Sequence, residues 1–216
     1  MIKLLIYDLD GTLIDSGEDI ARAVNAMLQT LNLPPLPKGL IATFVGNGVA
    51  HLITQSLIQS GGSAERVQEA IRLYRDHYSK HMLDHTRLYP SVKSVLEHFK
   101  DRKQGVITNK PENFSNLILK HLGVQNYFFR VIGGENSFPK KPSPDAVIEM
   151  MASLGISKNE TVLIGDSAID IETGKNAGIK TVAVTYGFGK PEEIRSAGPD
   201  LALNDLSELK GSSLFN

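Results

Sequence analysis

Five short apolar runs constrain this chain more than any other feature: Leu4–Tyr7, Gly105–Thr108, Arg130–Gly133, Val162–Gly165 and Thr181–Val184. They are rich in β-branched residues and nearly continuous in hydrophobicity. An alternating pattern would mark a half-exposed strand, whereas a continuous one marks a strand buried on both faces. Helical patterns of ten or more residues separate most of the runs. Strand–helix–strand alternation of this kind predicts an α/β fold, a doubly wound and mostly parallel sheet with a Rossmann-like core. Leu201-Ala202-Leu203 reads as a last edge strand, and the tail after Leu209 as a fraying end. Ser143 ahead of Pro144 reads as a helix N-cap with proline at the first helical position, and Gly123 and Gly178 as C-terminal glycines.

From Ser16 to His85 the alternation stops and no strand pattern occurs. Gly17-Glu18-Asp19 places acid in a first helical turn, where the helix dipole favours it. Ile20, Ala23, Val24, Met27, Leu28 and Leu31 follow at helical spacing. Breaks at Leu33–Pro37, Val45–Gly48 and Gly61-Gly62 separate two further helical patterns, Val49–Gln59 and Ala64–Met82. The expected organisation is a catalytic core made of residues 1–15 and 86–216, with residues 16–85 inserted as a helical cap domain. Such an insert leaves the sheet at the carboxyl end of its first strand, where open α/β sheets place their sites.

Composition excludes several chemistries. The 216 residues include no cysteine, which removes disulfides, thiolate metal sites and cysteine nucleophiles and fits a reducing cytoplasm. A formal net charge of -1 advertises neither a nucleic-acid nor a membrane partner. The apolar runs are far shorter than the roughly 18 residues of a membrane span. The start of the chain reaches Asp8 too early for a signal peptide. A cytoplasmic monomer or homodimer acting on a small molecule is the expectation. His77, His81 and His85 share a helix face but lack the H-E-x-x-H arrangement, so they read as a solvated face.

Asp8-Leu9-Asp10-Gly11-Thr12 follows the first strand directly. Two carboxylates one residue apart on a loop leaving a buried strand form a hard-oxygen site suited to magnesium. With 12 Asp, 19 Gly and 10 Thr, chance would place Asp-x-Asp-Gly-Thr in only about 3 of a thousand such chains. Thr108-Asn109 ends the second core strand. It reads either as a capping turn or as a cradle of hydroxyl, amide and backbone N–H for phosphate oxygens. Lys141, just ahead of a helix, offers a point charge to a phosphoryl group. Asp166 ends the fourth core strand as Asp8 ends the first. Asp170 lies one helical turn beyond it, either as a first-turn acid or as a partner of the same site.

Asp8-Leu9-Asp10-Gly11-Thr12-Leu13, Thr108-Asn109, Lys141-Pro142 and Gly165-Asp166-Ser167 through Asp170 resemble, in order and spacing, the motifs of the haloacid dehalogenase-like phosphohydrolases. Phe44–Gly48, Thr108–Pro111, Val131–Glu135, Lys140-Lys141-Pro142 and Val184–Gly189 look most like the phosphoglycolate phosphatase branch. The resemblance implies a phosphatase for a small phosphate monoester, with Mg2+ as cofactor. A sugar phosphomutase on the same scaffold is the alternative. It implies that Asp8 is the nucleophile and Asp10 the acid and base. It also implies that Asp8, Asp10 (through its backbone carbonyl) and Asp166 contact the metal, and that Thr108, Asn109 and Lys141 bind the phosphoryl group. Asp170 would then orient Lys141 or a metal-bound water from behind. In the cap, Gly46, Asn47 and Gly48 are the candidates for substrate contact, because glycine lets backbone approach a ligand. Arg22 is a further candidate for a substrate carboxylate, against the alternative of an exposed helical arginine.

Overall fold

The computed structural model describes residues 1–135 and 138–215. Among the described residues eight strands form in chain order: β1 (Leu4–Tyr7), β2 (Ile14–Asp15), β3 (Arg87–Leu88), β4 (Lys103–Pro111), β5 (Arg130–Gly134), β6 (Thr161–Gly165), β7 (Lys180–Val184) and β8 (Leu201–Leu203). Six of them make one sheet in the order β5-β4-β1-β6-β7-β8, parallel throughout. Leu4, Leu5, Ile6 and Tyr7 of β1 are all fully buried, as a strand covered on both faces requires. The two faces of the sheet bury separate apolar clusters. Leu5, Tyr7, Val106 and Ile164 face one side, and Leu4, Ile6, Ile107 and Leu163 the other.

Helices α1 (Gly17–Thr30), α2 (Lys38–Ala42), α3 (Val49–Gln59) and α4 (Val67–His81) fill the interval between β2 and β3. Helix α1 buries Ile20, Ala23, Val24, Met27 and Leu28, the stripe expected from the sequence. Asn32, just past its C-terminus, takes φ 59, a left-handed value that asparagine tolerates at a helix end. The remaining helices are α5 (Val92–His98), α6 (Glu112–His121), α7 (Asp145–Leu154), α8 (Ala168–Ala177) and α9 (Pro191–Ala197).

Several local expectations shift. Pro144, not Ser143, occupies the N-cap of α7, one residue later than expected. Pro144 has helix-like angles (φ -80, ψ -6) but the helix proper opens at Asp145. Gly123 (φ 68) and Gly178 (φ 73) do take the left-handed conformation beyond α6 and α8. Strand β4 runs on to Pro111, past Thr108, with its pairing to β5 displaced between Ile107 and Pro111. The tail after Leu209 does not simply fray: it continues in short 3-10 turns, and Leu214 packs on the core.

Strands β2 and β3, which carried no sequence signal, pair antiparallel through Ile14–Leu88 and Asp15–Arg87. They bring the two crossings between the sheet and the helical insert side by side. Asp19, read from sequence as a dipole acid, is buried. Its carboxylate accepts hydrogen bonds from the His85 and Thr86 backbone N–H groups at 2.8–3.0 Å and from the Thr86 hydroxyl at 2.8 Å. The start of the insert is thereby tied to its end. On α4, His77 and His81 stack at 4.6 Å and His81 pairs with Asp84.

Candidate active site

Strand β1 lies between β4 and β6. The chain first builds outward on one side (β4, β5) and then crosses to the other (β6, β7, β8), so the carboxyl ends of β1, β4 and β6 flank the topological switch point. Asp8 follows β1, Thr108–Lys110 lie in the last part of β4 and Asp166 follows β6. Three residue groups distant in sequence therefore meet because of sheet order alone.

Asp8, Asp166 and Asp170 are buried and each offers a carboxylate oxygen within 4.8 Å of the other two. Asp166 is fixed on both oxygens. Thr12 Oγ1 donates to Oδ1 at 2.9 Å, and the backbone N–H groups of Phe188 and Gly189 donate to Oδ2 at 2.8 and 3.3 Å. Three glycines make room for it: a Cβ on Gly11, whose φ is +87, would lie 2.3 Å from Asp166 Oδ2, one on Gly187 2.4 Å from Asp166 Cβ, and one on Gly189 1.9 Å from the Asp166 carbonyl oxygen. Asp170 closes a capping box at the start of α8, accepting from Ser167 N at 3.1 Å and Ser167 Oγ at 2.6 Å. Its other oxygen faces Lys141 Nζ at 2.5 Å.

Lys141 Nζ also lies 2.8 Å from Asp8 Oδ1. The alignment there falls outside that of a good hydrogen bond, so the attraction is chiefly one of charge. One buried ammonium thus pairs with two of the three buried carboxylates, Asp8 and Asp170. Burial raises the Asp8 carboxyl to about 6 against the pull of Lys141, with Asp170 adding to the rise. Burial together with the charges of Asp170 and Asp8 raises Asp166 to about 8. A cluster of hard oxygens with excess negative charge, including an oxygen without a hydrogen bond, fits a divalent cation. Among the described residues it is the one group of three or more metal-ligating side chains so arranged.

The Asp10 carboxylate turns away from this cluster. Ser16 Oγ donates to its Oδ1 at 2.5 Å, and Lys110 Nζ lies 3.0 and 3.2 Å from its two oxygens. The Asp10 side chain is therefore not part of the three-carboxylate group. Lys110, given no role from the sequence, is buried with its ammonium in the site. A signal was present, since a lysine directly follows Thr108-Asn109 at the end of a strand read as buried on both faces.

Thr108 and Asn109 are buried beside Asp8. The Asn109 side chain bridges loops: its Nδ2 donates to the carbonyls of Gly46 at 2.8 Å and Lys141 at 3.2 Å, and its Oδ1 accepts from Lys141 N at 2.9 Å. That engagement leaves the backbone N–H, not the amide, as the group at this position suited to an anion. A narrow cleft opens above these residues. Asp8, Asp10, Thr108, Asn109 and Lys110 form its polar floor, and Ile20, Val49, Leu52, Tyr74 and Tyr78 of the insert form an apolar roof. Gly46 and Gly48 line it, whereas Asn47 is exposed. Arg22 lies outside it, paired with Glu18 at 2.9 Å on the surface of α1.

A family model for haloacid dehalogenase-like hydrolases matches residues 5–184. The chain belongs to that family. A phosphoglycolate phosphatase of Vibrio parahaemolyticus is 38% identical over 217 residues, covering 96% of this chain and 94% of its own. One of Psychrobacter arcticus is also 38% identical, over 215 residues, with the same coverage. Among crystal structures, a protein described as a predicted phosphoglycolate phosphatase of Haemophilus somnus superposes with a TM-score of 0.90 at 29% identity, covering 96% of both chains. A predicted phosphatase of Clostridium acetobutylicum gives 0.87 at 28% identity over the whole of both chains. This haloacid dehalogenase-like hydrolase therefore shares its fold over nearly the whole chain with a protein described as a predicted phosphoglycolate phosphatase.

Proposed function

We propose that this hydrolase is a Mg2+-dependent phosphomonoesterase whose substrate is 2-phosphoglycolate. The observation that carries the reading is the convergence of Asp8, Asp166, Asp170 and Lys141 at the switch point, with Asp10 two residues beyond Asp8, beneath a narrow cleft roofed by the insert. The names of the relatives supply the substrate. Asp8 attacks phosphorus: an Asp8 Oδ–P bond forms as the bond from phosphorus to the leaving alkoxide breaks. Asp10 gives that alkoxide its proton, then takes one from the water that releases phosphate and restores Asp8. Lys141, the Thr108 hydroxyl and the backbone N–H groups at Thr108 and Asn109 in the last part of β4 neutralise the phosphoryl oxygens. Asp8, Asp166 and the Asp10 carbonyl would hold Mg2+, which offsets charge between the carboxylates and the phosphate dianion. Residues 16–85 act as the cap that excludes water and selects the leaving group.

The test is phosphate release from a panel of small esters ranked by kcat/KM, with and without Mg2+. We expect 2-phosphoglycolate at or near the top and no turnover in chelator. A strong preference for a hexose phosphate would refute the substrate while sparing the chemistry.

The cation also has a thermodynamic signature. In the metal-free protein folded Asp166 keeps its proton to about pH 8, while an unfolded aspartate loses it near pH 4. A carboxyl raised on folding makes stability fall as pH climbs through that window. Mg2+ should therefore raise Tm by roughly 5–10 °C at pH 8 and by less than half of that at pH 5.5. Equal shifts at both pH values would contradict a cation seated among these carboxylates.

A further inference from the structure

Lys110 is a buried cation beside the cluster that the chemistry above does not use. Its ammonium touches both oxygens of Asp10, at 3.0 and 3.2 Å, and donates to the hydroxyl of Tyr78 at 2.6 Å. It also sits 4.7 Å from the centre of the Tyr78 ring. The Lys110 and Asp10 side chains are 5% and 11% exposed, so water screens their pairing little. Tyr78 belongs to α4 of the insert. It is fixed by stacking on Tyr74 at 5.3 Å and by edge-to-face contact with Phe114 at 5.5 Å. The other group on Asp10 is the hydroxyl of Ser16, the N-cap residue of α1. Among the described residues, both side chains hydrogen-bonded to the Asp10 carboxylate are tied to the insert, Ser16 as its first residue and Lys110 of β4 through Tyr78.

We infer that Lys110, seated by Tyr78, is a positioning residue that fixes the Asp10 carboxylate for proton transfer only while the insert covers the site. The inference rests on the role of Asp10 proposed above. An aspartate side chain has alternative rotamers, and a proton donor must lie within hydrogen-bond reach of the leaving oxygen. A two-oxygen contact to one buried ammonium selects a single rotamer. Displacement by about 1 Å can cost of the order of 100-fold in rate. Lys141 is not interchangeable with Lys110, because its contacts are to Asp8 and Asp170 on the phosphoryl side.

The test is the leaving-group dependence of kcat/KM in Lys110→Met and Tyr78→Phe, with Mg2+ saturating. Three esters are compared: 2-phosphoglycolate, ethyl phosphate and p-nitrophenyl phosphate. The first two expel an alkoxide that needs a proton, while the third expels a stabilised phenolate that does not. Lys110→Met should lose about 100-fold on both alkyl esters and at least tenfold less on the aryl ester. Tyr78→Phe, which keeps the ring and removes only the hydroxyl, should show the same order with a smaller loss, about tenfold on the alkyl esters. Equal losses on all three esters would overturn the inference, and so would no loss in Tyr78→Phe. A loss confined to 2-phosphoglycolate would overturn it in favour of Lys110 recognising the substrate carboxylate. Should Lys110→Met fail to fold, the Tyr78→Phe series decides. Failure of the phosphatase reading itself is separate: the unmodified enzyme would then release phosphate from none of the three.

Discussion

Asp8→Asn is expected to abolish phosphate release and, in the absence of metal, to make the protein more stable. Loss of the nucleophile should lower kcat by at least ~10^4-fold, the scale seen when a covalent catalyst loses its attacking group. The gain in stability has a different origin. Asp8 is buried, its carboxyl raised to about 6, and it faces Asp170 and Asp10 with only the shared Lys141 to offset it. Above that pH the folded state carries a charge that the unfolded state solvates better, so stability falls as pH rises from about 4 to about 6. An isosteric neutral amide removes that cost, worth about 1–3 kcal/mol at pH 8. Thermal melts in chelator at pH 8 read the sign directly. A lower Tm for Asp8→Asn would mean that Lys141 already balances the site and that the case for a cation is weak.

The second large effect concerns Lys141. Its side chain is 4% exposed and is shared between Asp8 and Asp170, which are 9% and 1% exposed. Lys141→Met leaves both carboxylates buried without their cation. Breaking a buried ion pair from one side typically costs about 3–5 kcal/mol. Urea unfolding in chelator at pH 8 should show that loss, and activity should fall with it. Adding Asp170→Asn should recover part of the stability, since the second charge is then gone, but none of the activity. Two losses that simply add would show that the residues do not share one electrostatic unit.

The sheet was legible because strands buried on both faces read as continuous β-branched runs, and each of the five leading runs lies within a strand of the sheet. The acidic residues were legible for a related reason. Asp8 and Asp166 each terminate such a run, so placing the strands placed the carboxylates at one edge. What escaped was information carried by pairing rather than by pattern. Two-residue strands such as Ile14–Asp15 are too short to have a period. Asp19 looked like a helix-dipole acid because its partners, His85 and Thr86, lie 66 and 67 residues away. Lys110 stood at the end of a strand read as buried, which was a signal, but its role is recognisable only with the Asp10 carboxylate in view. The backbone donors of Phe188 and Gly189 on Asp166 have no residue-type signature at all. The start of α7 slipped by one residue because serine before proline is a strong but local cue, and Pro144 took the cap itself.

The strap of β2 and β3 has an evolutionary consequence. Because Ile14 sits opposite Leu88 and Asp15 opposite Arg87, the chain exits and re-enters the sheet domain at adjacent points. A tight turn joining those two positions would close the chain without moving any other strand. Genes encoding such a scaffold can exchange the intervening segment in a single splice, provided that the newcomer again seats the groups that Ser16 and Tyr78 bring to Asp10.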